Sequence, residues 1–114
     1  MRVVVVGPCG AGKSTLVASL RDRGYEAREC VQEHSYVPSM WRRISRPDVL
    51  VYLDVSLSNI EQRKPRSDWT QKILDEQKRR LAHAREFCDL YVQTDDLAAR
   101  EVLSRVLESL NELE

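Results

Sequence analysis

The stretch "VVVVGPCGAGKST" (residues 3–15) constrains the fold more than any other part of the chain. Val3 to Val6 are β-branched and apolar on both faces, the pattern of a central parallel strand buried beneath helices. Glycines at 7, 10 and 12 then supply a turn. From Gly12 to Arg23 the spacing becomes helical, with Leu16, Val17 and Leu20 on one stripe and Gly24 as the stop. A buried strand, a glycine turn and a helix in direct succession commit the chain to a layered α/β architecture.

The rest of the sequence repeats the alternation. "YEAREC" (25–30) reads as a half-exposed edge strand, with Tyr25, Ala27 and Glu29 on one face. Residues 32–47, bracketed by Pro38 and Pro47, are irregular apart from a short helical turn over Met40 to Ile44. "DVLVYLDVS" (48–56) is a second buried strand, and residues 69–88 form a long helix with Ile73, Leu74, Leu81, Ala84 and Cys88 towards the core. "LYVQT" (90–94) reads as a third core strand, and Val102, Leu103, Val106, Leu107 and Leu110 mark a closing amphipathic helix. Right-handed crossovers then predict a three-layer domain over residues 1–114. Its small, mostly parallel sheet of about four strands takes the order 2-1-3-4, with the valine strand in the middle and helices on both faces.

Composition narrows the partners. A chain of 114 residues suits one domain, and 42% apolar with 32% charged residues suits one core under a charged surface. Lys plus Arg equals Asp plus Glu at 18 each, so no global field draws the protein to nucleic acid or to a membrane. The valine run is too short for a signal peptide and meets a proline-glycine turn, and no segment approaches the ~20 apolar residues of a membrane span. Cys9, Cys30 and Cys88 show neither zinc spacing nor a disulfide framework, which predicts a reducing cytoplasm.

Gly7-Pro8-Cys9-Gly10-Ala11-Gly12-Lys13-Ser14 satisfies the Walker A pattern G-x-x-x-x-G-K-[ST], between a strand and a helix as that chemistry requires. Glycines let backbone N–H groups turn inward around a phosphate, and the helix amino terminus adds unpaired donors and a positive dipole end. In this reading Lys13 reaches the β- and γ-phosphates and Ser14 ligates Mg²⁺. Thr15 contacts the α-phosphate or packs. Cys9 lies in the cradle near a helix amino terminus, which predicts a lowered thiol pKa. No N-K-x-D element is present to read a guanine base.

Taken together, "GPCGAGKSTL", "RPDVLVYLDVS", an arginine-bearing link, a long helix and "CDLYVQTDDL" resemble the small phosphate-loop kinases in a reduced form. That group includes the nucleoside monophosphate, shikimate, gluconate and dephospho-coenzyme A kinases. The resemblance implies transfer of the ATP γ-phosphoryl group, with Mg²⁺, to a small acceptor, nucleosides or nucleotides ahead of sugars and acids. It departs from the family in its strand count and in its acidic residue. Such kinases carry five core strands and an acid beside the loop, whereas here Glu33 and Asp54 are the candidates to hold a Mg²⁺-bound water or accept the acceptor's proton.

By the same resemblance, Arg63 and Arg66, with Lys64, stand where the lid arginines would meet the γ-phosphate. His34, Tyr36, Trp41, Arg42 and Arg43 fall in the acceptor segment, where an aromatic beside arginines suits a planar phosphorylated group. Arg79 and Arg80 read as a plain polar face of the long helix, and His83 as helix surface. The thin cover on one sheet edge invites homodimerisation. The rivals to a kinase are an ATP hydrolase or nucleotide-dependent switch, and a non-catalytic nucleotide-binding module.

Overall fold

Four parallel strands make one sheet in the order β2-β1-β3-β4: β1 (Arg2–Val6), β2 (Glu26–Glu29), β3 (Val49–Asp54) and β4 (Leu90–Gln93). The computed structural model describes residues 1–59 and 70–113. Val3 pairs with Ala27 on one side and with Val49 on the other, so the valine run is central and Val3 to Val6 have no solvent exposure. The edge strands alternate as half-buried strands do. Ala27 is the buried residue of β2, and Val92 that of β4. "LYVQT" is therefore a half-exposed edge strand and not the core strand its apolar residues predicted.

Helices cover both faces: α1 (Lys13–Asp22), α2 (Met40–Ser45), α3 (Gln71–Phe87) and α4 (Ala99–Leu113). On one face Val3, Val5, Val51 and Leu53 meet Leu16 and Leu20 of α1 and Val102, Val106 and Leu110 of α4. On the other, Val4, Val6, Leu50 and Tyr52 meet Trp41 of α2 and Leu81 and Ala84 of α3. Each valine or leucine among them contributes about 1.5–3 kcal/mol when fully buried. No described helix is long and apolar enough to cross a membrane.

α3 starts at Thr70, whose side chain caps the N–H of Ile73 at 3.2 Å. Its buried stripe is Leu74, Gln77, Leu81 and Ala84, while Ile73 is 40% exposed, contrary to expectation. The stripe has the helical period, and Ile73 lies one residue off it. A glutamine is buried in the position the sequence did not nominate, because it serves the glycine loop.

Parallel strands bring their carboxyl ends to one edge of the sheet. Gly7 follows β1, Glu29 ends β2, Asp54 ends β3 and Thr94 follows β4. After β2 the chain crosses back over β1 to build β3. Open α/β sheets form ligand crevices at such a reversal.

Candidate functional site

β1 runs out at Val6 directly beside β3, its neighbour in the sheet. A Cβ on Gly7 would lie 2.1 Å from the Leu53 carbonyl oxygen, and Gly7 has φ 153°, so only glycine fits this exit. The loop closes with Ala11 N–H donating to the Pro8 carbonyl at 3.2 Å. At its end Gly12, with φ 94°, is the amino-terminal cap of α1, and Lys13 is the first helical residue. β2 is extended by Cys30 N–H donating to the Val5 carbonyl at 3.0 Å. The chain then turns through a short 3-10 segment, Gln32–His34, across the mouth of the loop.

That turn buries Glu33 against Lys13. Lys13 Nζ donates to the Gly7 carbonyl at 2.6 Å and to Glu33 Oε2, with Glu29 3.8 Å away. Both members of the Lys13–Glu33 pair are almost fully buried, at 4% and 2% side-chain exposure. Ser14 Oγ, one residue on, donates to Glu29 Oε2 at 2.9 Å. The expected Lys13, Ser14 and Glu33 are thus brought together, and Glu29 joins them. The strand alternation held the signal for Glu29, since it shares a face with Ala27, which packs towards α1.

Two further residues reach the loop from α3. Gln77 Oε1 accepts the Cys9 N–H at 3.0 Å, while its Nε2 donates to Cys9 Sγ at 3.6 Å. Arg80 donates to the Glu33 carbonyl at 3.4 Å and lies over the Tyr36 ring at 4.4 Å. This side of α3 is not the plain polar face expected from its charges.

Two clefts flank the loop. One of about 300 Å³ is bounded by Gly10, Lys13, Ser14, Glu29 and Glu33. The other, of about 230 Å³, shares Gly12 and Thr15 with it and is walled by Leu16, Thr94, Leu97 and Val102. A polar cradle thus adjoins an apolar slot.

The remaining expectations fare differently. Asp54 is buried, but its carboxylate accepts from Val55 N–H and the Tyr91 hydroxyl and pairs with Lys78 at 3.4 Å. Neither Lys13 nor Ser14 is among its partners, so it anchors β3 to β4 and α3. Trp41, read as an acceptor contact, is 4% exposed in the core and donates from Nε1 to His83 Nδ1 at 3.1 Å. His83 is consequently half-buried and not simply surface. Arg42 stacks over Trp41 and Phe87, and Arg43 is exposed on α2. His34 does reach the loop, with Nε2 3.3 Å from Cys9 Sγ.

The Cys9 thiol is pushed up, not down. Burial is the main cause, reinforced by the Glu33 carboxylate, and these outweigh the nearby Lys13. Arg63, Arg66, Lys64 and Trp69 lie outside the described residues. Comparison with protein-family models and with curated proteins gives no match for this chain.

Proposed function

We propose that residues 7–15 hold the phosphates of a nucleoside triphosphate, ATP by preference, and that the protein is a small-molecule kinase acting on a nucleoside or nucleotide. The observation that carries this reading is the buried Lys13 ammonium at a helix amino terminus, behind a strand exit that only glycine fits at position 7. A buried ion pair is a poor way to gain stability. A cationic loop end that must receive an anion gives it a reason.

The polar cradle and the adjoining apolar slot support a ligand with a phosphate at one end and a planar apolar group at the other. Lys13 exchanges Glu33 for the incoming phosphate oxygens. The released Glu33 carboxylate is then placed to accept a proton from an acceptor hydroxyl. Arg80 holds the backbone of that residue in position. Ser14 and Glu29 offer adjacent oxygens of the kind a hard cation takes, so they fit Mg²⁺ better than Asp54 does. When bound, Mg²⁺ would neutralise charge on the phosphates. A reducing cytoplasm, which keeps the three free thiols reduced, suits this activity.

The test is Mg²⁺-ATP turnover by the wild-type protein and Lys13→Ala, with and without a panel of nucleosides, nucleotides and small hydroxy acids. The expected result is ADP plus one phosphorylated acceptor, falling at least about 100-fold in Lys13→Ala. ADP and free phosphate regardless of acceptor would instead identify a hydrolase or switch. Tight ATP binding without turnover would identify a binding module.

A further inference from the structure

At the edge of the polar cradle, which Cys9 and Glu33 also line, three metal-ligating side chains of different chemistry converge. Cys9 Sγ lies 3.3 Å from His34 Nε2 and 3.7 Å from Glu33 Oε2, and the three groups' ligand atoms all fall within 4.8 Å of one another. Zinc binds sulfur at about 2.3 Å and imidazole nitrogen or carboxylate oxygen at about 2.0–2.2 Å in a tetrahedron. Neighbouring ligand atoms in such a site are therefore roughly 3.3–3.7 Å apart. The two separations from sulfur already have that length.

A second observation points the same way. Glu33 Oε1 is buried and accepts no hydrogen bond from the described residues, although its sister oxygen is held by Lys13. A buried acceptor left without a partner costs about 1–3 kcal/mol, so this carboxylate keeps one oxygen to spare beside the one that faces Cys9 Sγ and is held by Lys13. Gln77 adds the outer support that metal ligands usually have, since its Nε2 donates to Cys9 Sγ and its Oε1 fixes the Cys9 backbone. His34 is exposed and Cys9 only half-buried, so an ion can enter from solvent.

We propose that Cys9, Glu33 and His34 form a Zn²⁺ site at the edge of the polar cradle, with the fourth coordination position taken by water. Sulfur and imidazole select a cation of this class over Mg²⁺, which the oxygens of Ser14 and Glu29 suit better. The thiol proton passes to solvent as the metal binds. Glu33 is shared with Lys13, so occupancy weakens that ion pair and couples the metal to the loop. The site needs no nucleotide and stands whether or not the loop binds one.

Cobalt(II) is a coloured stand-in for zinc and reports thiolate ligation by a charge-transfer absorption. The metal-free full chain is titrated with Co²⁺, and the cobalt is then displaced by Zn²⁺. One equivalent should bind with the thiolate band, and Zn²⁺ should abolish it. Cys9→Ser should remove the band, while Cys30→Ser and Cys88→Ser leave it unchanged. His34→Ala, at an exposed position that does not threaten folding, should weaken affinity by about tenfold or more, as much as losing even an outer-shell partner costs. Absence of the band, its survival in Cys9→Ser, or unchanged affinity in His34→Ala overturns the proposal.

Discussion

Lys13 and Glu33 matter more to each other than to the rest of the core. Both are nearly inaccessible, so neither charge regains much hydration when its partner is lost. Lys13→Met should cost about 3 kcal/mol in a urea titration, because Glu33 is left charged and buried. Adding Glu33→Met to that variant should restore most of the loss. Strictly additive losses would show that the two side chains act separately. The glycines of the loop make a second contrast. Gly7→Ala pushes a methyl group into the Leu53 carbonyl, on a strand paired on both sides that cannot yield. It should cost about 3 kcal/mol or more. Gly12→Ala meets nothing within 4 Å and bears only the strain of φ 94°, so about 1–2 kcal/mol is expected. Equal midpoint shifts for the two variants would refute this account of the turn.

At the level of elements, β4 is attached to the sheet by more than its backbone. The Tyr91 ring stacks on Tyr52 with centroids 5.6 Å apart, and its hydroxyl donates to Asp54. Burial first, and then that hydrogen bond, push the Tyr91 hydroxyl up to about 12 from 10. The folded state therefore holds the phenol proton more tightly than the unfolded chain. Tyr91's contribution is fully present below pH 10 and is lost as pH rises towards about 12. Burial raises Tyr52 as well, so the wild type should lose stability over this alkaline range and Tyr91→Phe should lose less. Identical alkaline profiles would sink the assignment. The sequence made the existence of these elements legible, because a valine run and a 3.6-residue period are local signals. It did not fix which residue of α3 faces inward. Ile73 is the more apolar, yet Gln77 is buried because its partner Cys9 lies 68 residues away in sequence. The burial of Trp41 was hidden for a related reason, since its indole N–H is committed to His83, 42 residues away.

Across the whole molecule, the glycine loop joins the two halves of the core. Gly7 abuts β3, Ala11 belongs to the cluster beneath α1 and α4, and Cys9 is tied to α3 on the opposite face. The sheet order and the Lys13–Ser14 position were readable in advance because a parallel sheet and its crossover leave few alternatives. Glu29 was harder to see, since its role depends on where the end of β2 meets the start of α1. A ligand bound at this junction should stabilise both layers together. If the loop holds ATP, the linkage is RT ln(1 + [L]/Kd), about 2.7 kcal/mol at a concentration 100-fold above Kd. For a domain of this size that raises the melting midpoint by roughly 10 °C, in a single transition. On the same reading adenosine, which lacks the phosphates, should shift the midpoint far less than ATP. Lys13→Met should melt lower without ligand and respond little to ATP relative to its own baseline. An equal shift from adenosine would move the binding energy to the slot. A wild-type midpoint indifferent to millimolar Mg²⁺-ATP would refute nucleotide binding with a Kd below the millimolar range, because a ligand that binds only the folded state raises its unfolding free energy by this linkage.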